Sequence, residues 1–84
     1  MKSQRSAVIR VCLFAYLRDL AGWSERLWPI DAEQELTAVG LWDQLQLGPW
    51  PRSLRVAINQ QFAAPEQPLA AGDELAFLPP FTGG

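Results

Sequence analysis

Between Ala7 and Ala15 the chain reads AVIRVCLFA, a stretch rich in the β-branched and aromatic residues that suit a strand. Alternation puts Ile9, Val11 and Leu13 on one face and Val8, Arg10, Cys12 and Phe14 on the other, mixed face. The polar residues Met1 to Ser6 before it read as a frayed start. Tyr16–Ala21 (YLRDLA) predicts a short helical turn, with Gly22 as its C-cap. Glu25–Ile30 (ERLWPI) predicts a second strand, and Pro29, which has no ladder donor, places it at an edge or ends it. Thr37 reads as the N-cap of a helix running to about Leu47, stopped by Gly48 and Pro49. Val39, Leu41, Trp42 and Leu45 are expected on its buried side. Gly40 inside it costs about 1 kcal/mol relative to Ala.

Leu54–Ile58 predicts a third strand, with Leu54, Val56 and Ile58 on one face. Asn59–Gln60 reads as a turn, Gln61–Ala63 as a brief pairing, Pro65–Pro68 as a loop and Ala71–Gly72–Asp73 as another turn. Glu74–Leu78 (ELAFL) is the last strand, with Leu75 and Phe77 facing opposite to Ala76 and Leu78. The order is strand, turn, strand, helix, strand, short strand, strand. That is an α+β domain with a sheet covered by one main helix.

Composition removes most chemistry from this frame. Eighty-four residues make a single domain, residues 1–84, with 79–84 as a protruding tail. The chain is 49% hydrophobic and 19% charged, the opposite of a disordered segment. Seven basic against nine acidic residues leave a net charge of −2, too little positive charge to hold nucleic acid or an acidic membrane. There is no His, hence no Ser–His or Cys–His nucleophile pair and no His metal ligand. One Cys cannot form an internal disulfide. The longest apolar run, Val11 to Leu17, is far short of the ~20 residues of a membrane helix. The expected location is the cytoplasm.

The chemistry that remains is at the end of the chain, Pro79–Pro80–Phe81–Thr82–Gly83–Gly84. Paired prolines stop the strand and favour a stiff polyproline II stalk. If Gly84 is the natural terminus, Phe81 to Gly84 form a thin tip reaching roughly 13–14 Å when extended. Terminal glycines are more often only frayed chain, and a Gly–Gly end alone carries little weight. What lifts it is the context of a ubiquitin-sized α+β domain whose last strand feeds directly into it.

The stretch VAINQ followed by PLAAGDELAFLPPFTGG resembles the small subunit of molybdopterin synthase, the MoaD sulfur carrier of the ubiquitin-like MoaD/ThiS family. That family carries an Ala-x-Asn-Gln segment, a Leu-x-x-Gly-Asp-Glu-hydrophobic strand and a Pro-Pro-x-(Ser/Thr)-Gly-Gly terminus. The stretch FAYLRDLAG is similar to the family's Phe-Ala-x-x-Arg-Glu-Leu-x-Gly element. The resemblance covers both ends of the chain and implies a β-grasp fold of four to five strands, with the first and last strands parallel and adjacent at the sheet centre.

It also implies a mechanism and partners. A MoeB-like adenylyltransferase, resembling ubiquitin-activating enzymes, uses ATP and magnesium to adenylate the Gly84 carboxylate. Sulfur from a donor such as a cysteine desulfurase or rhodanese replaces AMP and leaves a thiocarboxylate. The MoaE-like large synthase subunit takes in the tail, with Pro80, Phe81, Thr82 and Gly83 recognised along it, and sulfur passes to cyclic pyranopterin monophosphate. The chain is then not catalytic alone, binds no cofactor or metal itself and has no nucleic-acid or membrane partner. Partners supplying every acid, base and metal account for the absent His.

Phe14, Arg18 and Leu78 are the interface residues this reading assigns. Phe14 and Leu78 lie opposite the core sets of their strands, and parallel neighbouring strands bring them together at the base of the tail, although both also suit packing under a loop. The family usually has Phe where this chain has Leu78. Arg18 matches the family's arginine and suits an acidic group on a partner or simply solvent. Trp23, Trp28, Trp42 and Trp50 have no family role and read as core filling or edge cover, and Cys12 as buried and inert. Three other readings stay open: a carrier for thiamin thiazole synthesis or another sulfur pathway, a ubiquitin-like modifier of lysines, and a binding module with an incidental tail.

Overall fold

The computed structural model describes residues 6–31 and 33–80. The elements are β1 (Ser6–Leu13), α1 (Tyr16–Ala21), β2 (Glu25–Asp31), α2 (Ala38–Leu45), β3 (Arg55–Ile58), β4 (Gln61–Ala63) and β5 (Glu74–Leu78). They form a five-stranded sheet in the order β2-β1-β5-β3-β4. The β1–β5 pair is parallel and the other three pairs are antiparallel. This is the expected β-grasp arrangement, with the N-terminal and C-terminal strands side by side. Leu75, Ala76 and Phe77 of β5 are all buried, as a central strand requires. Pro29 sits on the edge strand β2, where its missing N–H breaks no ladder.

Period two sorts β1 cleanly. Ile9, Val11 and Leu13 are at most 2% exposed and face α2 across a core that includes Leu17, Leu41, Leu54, Val56, Ile58, Leu75 and Phe77. A fully buried Leu, Ile or Phe contributes about 1.5–3 kcal/mol relative to exposure, so these residues hold the fold. Trp42 is buried and meets Phe77 edge-on at 5.2 Å and Trp50 at 5.7 Å. Its indole N–H donates to the Gly48 carbonyl at 2.8 Å. Trp23 and Trp28 stack at 6.5 Å, half-buried against the same core, and the Trp28 N–H donates to Gln44 Oε1. All four tryptophans therefore fill or flank the core, as expected.

Helix α2 corrects two expectations. It begins at the Thr37 N-cap, whose Oγ1 accepts from the Gly40 N–H, but it ends at Leu45, not Leu47. Gln46 takes the left-handed cap at φ 58°, so the turn is made two residues before Gly48. The buried side is Ala38, Leu41 and Trp42, with Leu45 half-buried, while Val39 is 43% exposed. Residues 38, 41, 42 and 45 follow the i, i+3, i+4, i+7 stripe, and Val39 lies about 100° away from Ala38 around the helix. A Cβ at Gly40 would lie 3.1 Å from Leu36 Cδ1, so the Leu36 side chain would have to give way by a few tenths of an ångström.

Strand β1 is also shorter than predicted, ending at Leu13 because Ala15 has φ 56° and ψ −136°. That left-handed twist turns the chain into α1, which closes on Gly22 at φ 88° as expected. Asn59 and Gln60 both have positive φ, 54° and 69°, and form the two-residue loop of the β3–β4 hairpin. The strain is held by hydrogen bonds across the sheet end. Asn59 Nδ2 donates to Asp73 Oδ1, Asn59 Oδ1 accepts from the Glu74 N–H, and Asp73 Oδ2 accepts from the Ala70 N–H.

Candidate functional site

Both helices lie on one side of the sheet, and the other side has no covering element among the described residues. Pairing register fixes what it presents. Leu13 pairs with Phe77, Ala76 with Ala57, and Ala57 with Phe62. Phe14, Ala76, Leu78, Ala57 and Phe62 therefore share the open face. Ala57 and Ala76 stand opposite one another and form a low floor, while Phe14, Phe62 and Leu78 stand up around it. The result is a groove of about 320 Å³ lined by Phe14, Ala57, Gln60, Phe62, Glu74, Ala76 and Leu78. Phe14 is 47% and Phe62 64% exposed, and large aromatic side chains held in water around a concave surface mark a place of contact.

Charged groups border the groove. The Arg55 guanidinium lies 4.1 Å above the Phe62 ring. Arg10 and Glu25 form an exposed ion pair at 3.1 Å. The Cys12 thiol donates to Glu74 Oε2 at 3.7 Å. Cys12 is half-buried, not buried as expected, because its position on β1 faces the open side and not the core. Partial burial, and then the negative charges of Glu74 and Glu25, push its thiol above the ordinary value. That is the opposite of what a nucleophilic thiol needs.

The sequence-predicted residues are brought together in part. Phe14 and Leu78 line one groove at the end of β1 and β5, where the tail departs. Arg18 lies exposed on α1 and is not part of the groove lining. Pro79 is half-buried and Pro80 exposed directly beyond β5. Phe81, Thr82, Gly83 and Gly84 lie outside the described residues. Sequence reasoning missed Phe62, Ala57 and Ala76 as groove residues and Arg55 as its rim. The signal was present: a two-residue turn at Asn59–Gln60 pairs Phe62 with Ala57, and the side-chain alternation then sets both on the open face.

Among the described residues, no helix is long and apolar enough to cross a membrane. The chain is 34% identical over 83 residues to the molybdopterin synthase sulfur carrier subunit of Escherichia coli (strain K12), covering 92% of this chain and 100% of that one. Its fold is similar to the crystal structure of SAMP1 from Haloferax volcanii, with TM-score 0.74, 29% identity and coverage of 92% of this chain and 99% of that one. The solution structure of small archaeal modifier protein 1 from Methanosarcina acetivorans, at 22% identity, TM-score 0.69 and coverage of 95% and 99%, bears on the fold alone. The sequence profile of the ThiS family matches residues 11–84, a span that includes the groove strands and runs through Gly83–Gly84. With a parallel β1–β5 pair at its centre and this match along nearly its whole length, the chain belongs to the ThiS family.

Proposed function

We propose that this chain is a sulfur carrier for molybdopterin formation, with the Gly84 carboxylate as its reacting group. The observation that carries the reading is the family match running through Gly84, joined to the similarity over the full length of the Escherichia coli carrier subunit. A free α-carboxylate has a reference pKa near 3.5 and is a poor electrophile at neutral pH. An activating partner that uses ATP and magnesium converts it to an acyl adenylate with release of pyrophosphate. A persulfide donor displaces AMP to give an acyl disulfide. A second thiol, of the donor or of an added reductant, then attacks the donor's sulfur, closing a disulfide with it and leaving Gly84 as a thiocarboxylate. A large synthase subunit then receives the tail, and sulfur is delivered to cyclic pyranopterin monophosphate.

The chain's own residues supply delivery, not catalysis. Glycines at 83 and 84 have no Cβ, so a narrow tunnel can close on their backbone. Pro79 and Pro80 limit the entropy lost when the tip enters it. The groove of Phe14, Phe62 and Leu78 serves as the docking surface at the base of the tail, with Arg18 as a second contact. Work in the cytoplasm, beside the activating enzyme and sulfur donor, completes the reading.

A second reading, a modifier joined to lysines through the same terminus, is favoured by the similarity to SAMP1 from Haloferax volcanii. Intact-mass measurement after incubation with an activating enzyme, ATP and a persulfide donor separates the two. A carrier gains the mass of one oxygen-to-sulfur exchange and, given the large subunit, converts cyclic pyranopterin monophosphate. Conjugates of higher mass formed in an extract, with no thiocarboxylate, would establish the modifier instead. No reaction with any activator would refute both.

A further inference from the structure

The groove has an electrical polarity that the apolar residues alone do not reveal. At one end, Arg55 occupies the β3 position paired with Leu78, beside the point where the chain leaves the sheet. It is exposed, and its guanidinium rests 4.1 Å from the centre of the Phe62 ring. Among the described residues the ion pair is Arg10 with Glu25, and Arg55 has no carboxylate. At the other end is Glu74, the first residue of β5. Leu78 is four residue steps along the strand from Glu74, about 13 Å at ~3.3 Å per residue. Arg10, register-paired with Glu74 and 3.1 Å from Glu25, stands at that far end too, so two carboxylates against one guanidinium leave it net negative while the end beside the tail is positive.

Holding Arg55 on the ring has a physical consequence. Stacking of an exposed guanidinium on an aromatic face is worth ~0.5–1 kcal/mol, and it restricts the side chain before any partner arrives. The planar fork stays free to take a carboxylate through two parallel hydrogen bonds. Glu74 repels a carboxylate from the opposite end. An occupant with one acidic group is thereby set in a single direction along the groove.

We infer that Arg55 is a specificity-determining contact that receives an Asp or Glu side chain of the protein accepting the tail, beside an apolar side chain that fills the groove. This rests on the sulfur-carrier reading, in which that protein is the large synthase subunit. Direction matters there because the tail leaves from the Arg55 end and must point into the partner's site.

The test uses the full chain and the large subunit, with association rate, Kd and thermal midpoint measured at low and high salt. Arg55→Met keeps an apolar stem over Phe62 and removes the charge. It is expected to weaken binding about tenfold, equivalent to ~1.4 kcal/mol, and to flatten the salt dependence of the association rate. Arg55→Glu is expected to weaken it further, and Arg55→Lys to recover part of the loss. Arg55→Met binding as tightly as wild type, with the same salt dependence, overturns the inference while leaving the carrier reading intact. So does a loss of binding that tracks a lower thermal midpoint with unchanged salt dependence, since Arg55 would then only cover Phe62. A wild-type chain that ignores the large subunit removes the carrier reading and the inference together, and one that fills the groove with a second copy overturns the inference alone.

Discussion

Replacing Phe77 by Leu isolates what the aromatic cluster adds to simple burial. Phe77 is 0% exposed and meets Trp42 at 5.2 Å and Trp50 at 6.1 Å, both edge-on. Leu keeps an apolar side chain on the central strand but removes both ring contacts. Each aromatic pair is worth ~0.5–1.5 kcal/mol beyond the area it buries, so two pairs account for about 1–3 kcal/mol. Leftover space around the smaller side chain brings the expected cost to about 2–3 kcal/mol, and Phe77→Ala to about 3–5 kcal/mol. A chain of this length has a total stability of about 4–13 kcal/mol at ~0.05–0.15 kcal/mol per residue. The Leu variant should therefore fold and the Ala variant stand near the limit. Urea unfolding followed by tryptophan fluorescence suits the question, because Trp42 and Trp50 report on the ring being removed. With a slope of ~1–3 kcal/mol per molar urea, the Leu variant's midpoint falls by about 0.7–3 M. A midpoint within about 0.3 M of wild type at the same slope would refute the reasoning, because the cluster would then add nothing beyond burial.

Deleting Gly84 is expected to abolish thiocarboxylate formation in the mass assay and leave the thermal midpoint unchanged; a lowered midpoint would show that the tip is structural. Asn59→Ala removes two hydrogen bonds across the sheet end and leaves Ala at φ 54°, so a loss of about 1–3 kcal/mol in urea unfolding is expected. An unchanged midpoint would mean that the hairpin turn holds itself. Cys12, raised by burial and then by Glu74 and Glu25, should alkylate with iodoacetamide more slowly than a free thiol at neutral pH, and Glu74→Gln should speed it. Because its folded value lies above the unfolded one, its contribution to stability is full below the unfolded value and is lost as pH rises through the folded value. Alkylation at the free-thiol rate would contradict this assignment.

Much of the site was legible because it rests on local signals. Alternation in β1 and β5 set Phe14 and Leu78 opposite the core, and a parallel β1–β5 pair, implied by the family resemblance, placed them together. Helix α2 was legible at its start, where a Thr side chain caps a backbone N–H three residues on. Its end was not. Gln46 takes a left-handed conformation more often given to Gly or Asn, so Gly48 drew the boundary two residues too far. Val39 was placed inside because an apolar residue at the helix start carries no label of phase, and only contact with Leu41 and Trp42 fixes which stripe is buried.

By itself the amino-acid sequence determined the strands, the turns and the absence of His, since these follow from side-chain type, period and spacing over a few neighbours. It also carries the family match on which the proposal of a terminal carboxylate as reacting group rests, a group that composition cannot count. Tertiary structure decided the rest. Leu13 meets Phe77 and Ala57 meets Ala76 only through pairings between distant parts of the chain, and those pairings turn scattered apolar residues into a groove. The same register sets Arg55 beside Leu78 and over Phe62. A lone arginine has no direction in a sequence; the sheet gives it one by fixing which neighbours it stands between.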